Sequence, residues 1–505
     1  MMKRLGIAAT LSVAANAYAL GPNDSPDIEI FMSGASAQDG NIETLFEQLC
    51  VPGTLDIYRD NSSASSPGKA HRAIFCNVDN TKVDGLSLTN PKVLFHKRSA
   101  GGSAQGVNPL LDDQPIDAMM INNGNCTRVG ATREFLCSIN NAGDLAPVIS
   151  TAGVSDVNPE LFVRFNTPEG FSEVDPVKVF QTLDVSGAAA LVFGIPVTTG
   201  LRDALQEVQI NAGRLAENCI GDNTQRCMPN LSKHQVASIM SGQVLHWNQL
   251  TAADSTGALV PFTAALASVS PPDNIRVAIC RRVDGSGTQA QMNANFLHAP
   301  CTGVALPPAE VSNPLQGPVI VKNEGSGDLD LCLDDFNNGT NSGGGNQGEQ
   351  TFWAVGLQST EKNPDLAHDY RFIKIDGYAP TLQNAAHGDY LDWAENTYQW
   401  KKQGQPNAPS AEQLAILETV ARNAAGPAIL GPLNLSKFVH PWGVGGYLAL
   451  SVNGHALGAN GEFRLNNPVT PYTHRPLTYR TLSNCRVPVY DRFARDIDGK
   501  HVLPL

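Results

Sequence analysis

Arg281-Arg282-Val283-Asp284-Gly285-Ser286-Gly287-Thr288 gathers guanidinium groups, a carboxylate, two hydroxyls and two glycines into one short segment. A guanidinium presents a planar fork of donors that suits a tetrahedral oxyanion. The run Ile275 to Cys280 before it has strand character. Gln289 to Leu297 after it reads as a helix, with Met292, Phe296 and Leu297 on one face. The segment therefore predicts a strand, a glycine turn and a helix N-terminus. Free N–H groups and the positive helix end converge at such a junction, and small residues let an anion reach the backbone. Arg282 would supply the charge, Asp284 would hold that arginine, and Ser286 and Thr288 would donate from their hydroxyls. The plainer alternative is a Gly-Ser-Gly-Thr surface turn.

Other elements must place this segment. Asp27 to Met32 reads as a strand, followed by the small-residue turn Ser33 to Gln38 and a helical Ile42 to Leu49. Lys92 to His96 reads as another strand and leads into a second small-residue turn, Arg98 to Val107. Ala188 to Val197 reads as a buried strand, and Gly200 to Leu215 has helical spacing. This alternation predicts an α/β fold with mainly parallel sheets. Asn122 to Ser150 and Glu324 to Gln350 read as insertions, the second including a flexible glycine-rich loop over Asn337 to Gly345. Asp328, Asp330, Asp334 and Asp335 ahead of it do not have the spacing of an EF-hand, which leaves a solvated loop.

The chain of 505 residues opens Met1-Met2-Lys3-Arg4, continues through an apolar run to Ala15 and offers Ala17-Tyr18-Ala19 for cleavage. That is the pattern of a secretory signal peptide over 1–19, without a cysteine for a lipid anchor. Export to the periplasm or beyond is expected, with no membrane insertion. Ten cysteines fit an oxidising compartment. Cys126–Cys137 and Cys219–Cys227 read as local clips and Cys50–Cys76 as a third pair, while Cys280, Cys301, Cys332 and Cys485 have no preferred pairing. Scattered histidines and the lack of Cys-x-x-Cys argue against a metal. A net charge of −13 argues against nucleic acid or an anionic membrane as partner, and would make anion capture depend on local dipoles and hydrogen bonds. No hydrolase elbow, zinc-protease, Walker or dinucleotide motif is present. No enzyme and no cofactor are expected.

Three segments in order resemble the high-affinity phosphate-binding proteins that serve bacterial ABC importers. Ser33-Gly34-Ala35-Ser36 is similar to their G-A-T-F turn, and Gly102-Ser103-Ala104-Gln105-Gly106-Val107 to their G-S-S-G-G-V turn. Arg282-Val283-Asp284-Gly285-Ser286-Gly287-Thr288 is similar to their R-S-D-G-S-G-T, the most specific of the set. Leu231 to Asn248 resembles the family's helix ending in a tryptophan, here Trp247, which packs a loop onto the second domain.

The resemblance implies a type II periplasmic binding protein fold, two α/β lobes around a ligand cleft, with insertions and a C-terminal extension. It divides the chain into lobe one at 20–195, lobe two at 196–350, a return to lobe one at 351–404 and the extension at 405–505. It implies that Ser36 and Ser103 donate from lobe one and Arg282, Ser286, Gly287 and Thr288 from lobe two, with Asp284 orienting the arginine. Ala37 replaces the family's phenylalanine. The family's acceptor aspartate, which takes the proton of monohydrogen phosphate, falls on Asn122 when Ile116 to Asn122 is matched to its v-D-f-G-a-S-D segment. An amide carries no charge with which to reject a fully ionised oxyanion. The expected function is capture of phosphate or a related oxyanion, with an ABC permease as partner. The alternatives are a secreted structural or scavenging protein on this scaffold and, less favoured, a phosphatase.

Overall fold

The structure, a computed structural model, describes residues 20–62, 67–312, 317–475 and 481–504. The expected signal peptide at 1–19 lies outside the described residues. In chain order, strands β1 (Ile28–Gly34), β2 (Lys92–Arg98), β3 (Ala152–Ser155) and β4 (Leu183–Gly194) enter a sheet of twelve described strands. Strands β5 (Asn274–Arg282) and β6 (Phe352–Gly356) enter a second sheet of five, and β7 (Trp393–Lys401) and β8 (Tyr447–Leu450) return to the first. Four helices matter below: α1 (Asp39–Leu49), α2 (Gly287–Leu297), α3 (Ser326–Asn338) and α4 (Ala411–Ala424).

The first sheet runs β8, β4, β7, β3, β1, β2 across its middle. It is parallel where β1 meets β2 and β3, and antiparallel where β7 meets β3 and β4. The expectation of mainly parallel sheets therefore holds for the site-bearing strands and fails beside them. β7 arrives from the second lobe, so no helical crossover constrains its direction. In the second sheet β5 pairs in parallel with both Val319–Asn323 and β6.

Burial follows the sequence pattern. Ile28, Ile30 and Met32 of β1 face a core that also takes Ile42, Leu45 and Phe46 of α1 and Ile416, Leu417 and Val420 of α4. The extension is thus part of lobe one, and β8 hydrogen-bonds to β4 within the sheet. Trp247 is fully buried in the second lobe, donates its Nε1 proton to Trp353 O at 3.0 Å and meets that ring edge-on.

Two expectations need correction. The acidic stretch of Glu324 to Gln350 is helix, Ser326–Asn338, because Leu329, Leu333 and Phe336 repeat with helical period and are buried, while 339–350 holds neither helix nor strand. Its acidic residues diverge. Asp328 caps Gly325 N, Asp330 accepts from Tyr370 Oη, Asp334 meets His368, and Asp335 binds the amides of Ser342 and Gly343. Residues 122–150 place Cys126–Arg128 and Glu134–Cys137 as an edge hairpin of the first sheet. All ten cysteines pair: the three expected disulfides form, with Cys280–Cys332 and Cys301–Cys485. No helix among the described residues is long and apolar enough to cross a membrane.

Candidate functional site

The carboxyl ends of β1, β2 and β3 are side by side in lobe one, and each releases a tight turn. Lys97 knits two of them. It is 3% exposed, and its ammonium donates to Gly34 O and Ala35 O at 3.1 Å and to Ser99 Oγ at 2.9 Å. Burial lowers its pKa, and Asp39 at 3.1 Å opposes that shift. Ser36 and Ser103 each open a 3₁₀ turn at these ends.

Asp156 follows β3 directly. Its backbone N–H donates to Ser103 Oγ at 3.1 Å, and its carboxyl accepts from Gln38 Nε2 at 3.4 Å. Burial pushes this carboxyl up to about 6, although Gln38, Arg282 and Lys97 all favour its charged form.

From lobe two, Arg282 ends β5 and is 1% exposed. Its guanidinium donates to Asn323 O at 3.3 Å, Ser326 Oγ at 3.2 Å and Glu324 O at 2.9 Å. These acceptors are all neutral. Among the described residues no carboxylate lies within ion-pair distance of it. Burial lowers its pKa, and the charge of Asp156 opposes that shift most strongly. Ser286 then caps α2, accepting from Gln289 N, so Gly287 and Thr288 form the helix's first turn.

The lobes meet at this point. Ala104 N donates to Gly285 O at 2.8 Å, and Ser36 Oγ lies 3.3 Å from Ser326 Oγ. A side chain at Gly287 would put its Cβ 2.4 Å from Ser103 Oγ, and one at Gly102 would lie 2.9 Å from Ser286 Cα. A side chain has no room at either position, because Gly102 packs on the backbone of Gly285 and Ser286 and Gly287 on the side chains of Ser103 and Asp156. Beside Ser36 and Ser326 opens a cleft of about 820 Å³, lined also by Asp39, Lys69 and Lys362.

The structure therefore gathers Ser36, Ser103, Arg282, Ser286, Gly287 and Thr288 at one junction. It does not gather Asp284 or Asn122. Asp284 pairs with Arg281 at 2.7 Å, because neighbouring strand residues point to opposite faces and Asp284 lies on the Arg281 side. Asn122 is exposed in a turn where its Oδ1 accepts from Gly124 N. The insertion broke the register on which its assignment rested.

Sequence reading missed Asp156 and Ser326. The run Gly153-Val154-Ser155-Asp156 held the signal for the first: a small-residue strand ending in Ser-Asp. Ser326 was hidden by the loop-like composition around it. Chemically the site is a cage of donors with one carboxyl. Among the described residues the histidine hydrogen bonds run to Glu29, Asp334 and Thr360 O, and none activates a hydroxyl of the cage.

Neither a sequence-family profile nor a curated protein matches the chain. Solved structures do. A protein from Clostridium perfringens, assigned as a phosphate ABC transporter substrate-binding protein and holding bound phosphate, aligns at 12% identity and TM-score 0.39, over 79% of this chain and 96% of its own. An ABC-type phosphate transport receptor from Vibrio cholerae aligns at 12% identity and TM-score 0.34, over 78% and 95%. A phosphate binding protein from Stenotrophomonas maltophilia aligns at 12% identity and TM-score 0.35, over 79% and 83%. In structure the chain is similar to bacterial phosphate-binding proteins.

Proposed function

We propose that the chain is an exported solute-binding protein that captures phosphate, or a related tetrahedral oxyanion, between its lobes. One observation carries this reading: Arg282 is buried at the lobe junction, its guanidinium at the start of α3 beside Ser326, and among the described residues no carboxylate is in ion-pair reach of it. A buried cation without a counter-ion is costly, and a bound anion would remove that cost. Ser36, Ser103, Ser286, Gly287 and Thr288 would supply the remaining donors. Asp156 takes the role that the sequence match gave to Asn122, accepting the proton of a monohydrogen anion. Asp284 acts at one remove, by holding Arg281.

Lobe one would comprise residues 20–195 together with 393–505, and lobe two most of the chain between them. The permease of an ABC importer would recognise the closed lobes. The five disulfides fit an oxidising compartment outside the cytoplasm. Calorimetric titration of anion-free protein with phosphate and then sulfate tests the proposal. Phosphate heat in the native protein and none in Arg282→Ala is the expected result. No heat with either anion would sink it, and turnover of a phosphomonoester would replace it with the phosphatase reading.

A further inference from the structure

The lobes meet unequally along their seam. On one side Gly287 packs on Ser103 and Asp156, and Ala104 N donates to Gly285 O at 2.8 Å, so the two lobes are in direct contact. On the other side, where Ser36 and Ser326 stand 3.3 Å apart, the cleft of about 820 Å³ begins. Arg282 is one hydrogen bond behind it, through its 3.2 Å contact with Ser326 Oγ. Cavities of that order hold small organic molecules, and a bare tetrahedral oxyanion would leave most of this one to water.

Both lobes build the wall. Lobe one contributes Asp39 and Gly40 of α1 and Lys437 of the extension, and lobe two the first turn of α3. Five side chains of the wall are cationic and five are acidic. Most of them meet an opposite charge: Lys69 and Asp328 at 2.8 Å, Lys362 and Glu361 at 3.2 Å, Arg72 and Asp39 at 3.6 Å. The wall is therefore formally neutral and does not call for a second anionic group. It is also poor in apolar surface, Val321 and Phe438 being its large apolar residues. A hydroxyl suits such a wall, since it donates to carboxylates and accepts from ammonium groups. Lys437 and Glu324, both exposed, form no ion pair among the described residues and are available to it.

We propose that the ligand is a phosphomonoester of an uncharged, hydroxylated alcohol, an inference that rests on the oxyanion site proposed above. The phosphoryl head lies at the Arg282 end, and the body passes Ser36 and Ser326 into the cleft, where Lys437 and Glu324 meet its hydroxyls. The head brings Arg282 the counter-charge that its neutral acceptors do not. The second ionisation of a phosphomonoester, at about pH 6, coincides with the raised carboxyl of Asp156 at about 6, so head and carboxyl can share one proton.

Calorimetric titration of the anion-free protein at pH 6 with inorganic phosphate, glycerol 3-phosphate and glucose 6-phosphate tests the inference. Each ester is expected to bind about tenfold tighter than phosphate or better, as one or two added hydrogen bonds would give. Gly40→Phe separates head from body. Gly40 lies in α1 on the cleft wall, and a Cβ there meets nothing within 4 Å, so the ring enters open space. That variant lowers ester affinity about tenfold, the value of those same hydrogen bonds, and hardly changes that of phosphate. Arg282→Ala removes the heat of all three, and circular dichroism shows that each variant keeps its fold. Esters bound no tighter than phosphate, or indifferent to Gly40→Phe, overturn the inference and leave the proposed function standing. Heat from none of the three overturns both. Release of phosphate from either ester overturns it in favour of the phosphatase reading.

Discussion

Cys301 and Cys485 are joined across 184 residues of sequence, tying the loop after α2 in lobe two to the extension that completes lobe one. α2 starts at the lobe junction, so the bond anchors the far end of the helix whose first turn would hold the proposed ligand. Two further contacts act beside it: Asn293 Nδ2 donates to Asn166 Oδ1 at 2.7 Å and Gln291 Nε2 to Trp393 O at 3.0 Å.

Replacing the pair, as Cys301→Ser with Cys485→Ser, should therefore loosen the lobes as well as the fold. The expected cost is about 2–5 kcal/mol in guanidinium unfolding, from the greater freedom of the unfolded chain. Stopped-flow release of phosphate should also become faster. Unchanged release with lowered stability would mean that the bond serves the fold alone.

Arg282→Ala should lower phosphate affinity by about 100-fold or more, since several charge-assisted hydrogen bonds vanish together. Its effect on the anion-free protein should be small or stabilising, because an unneutralised buried charge is removed. Paired calorimetry and thermal melting read the two quantities separately.

Asp156 sets the pH dependence. Its carboxyl is raised to about 6 by burial, so its contribution to stability is present below the ordinary carboxylate pKa and is lost as pH rises through about 6. Above that pH the carboxylate would accept a proton from monohydrogen phosphate, under the proposed function, and would repel sulfate. Below it the neutral carboxyl can donate, and sulfate should compete. Asp156→Asn should bind sulfate equally on both sides of pH 6, as competition titrations would show.

Gly287→Ala tests how closely the lobes must approach. The added methyl would collide with Ser103 Oγ and lie 2.8 Å from Asp156 Cβ. Overpacking of this kind costs about 1–3 kcal/mol, equivalent to about 5- to 150-fold in affinity. The melting temperature of the open protein should hardly move.

The junction at 274–297 was legible in sequence because two periodicities meet there, β5 ending in Arg282 and α2 starting at the Ser286 cap. The turns that carry Ser36 and Ser103 were legible for a similar reason, each following an apolar strand. Asp156 was not, since the residues inserted ahead of β3 shift any count made from the second turn. The partner of Asp284 was misread because composition says nothing of the face on which a side chain stands. The helix α3 was obscured by asparagine and glycine after it, although Leu329, Leu333 and Phe336 already carried its period.

The strand order of the first sheet also governs how the chain is made. β7, from residues 393–401, is inserted between β3 and β4, and β8 seals the far side of β4. Lobe one therefore has an open gap at its centre until almost the whole polypeptide has emerged. Contacts so distant in sequence form slowly, and the incomplete sheet exposes unpaired strands meanwhile. Lobe two, drawn mainly from one continuous stretch, can form first and wait. A chain stopped before Trp393 should yield protease-resistant lobe two with an unfolded N-terminal third. A lobe that closes only with its last strands stays threadable until synthesis is nearly done, which would suit the export proposed above.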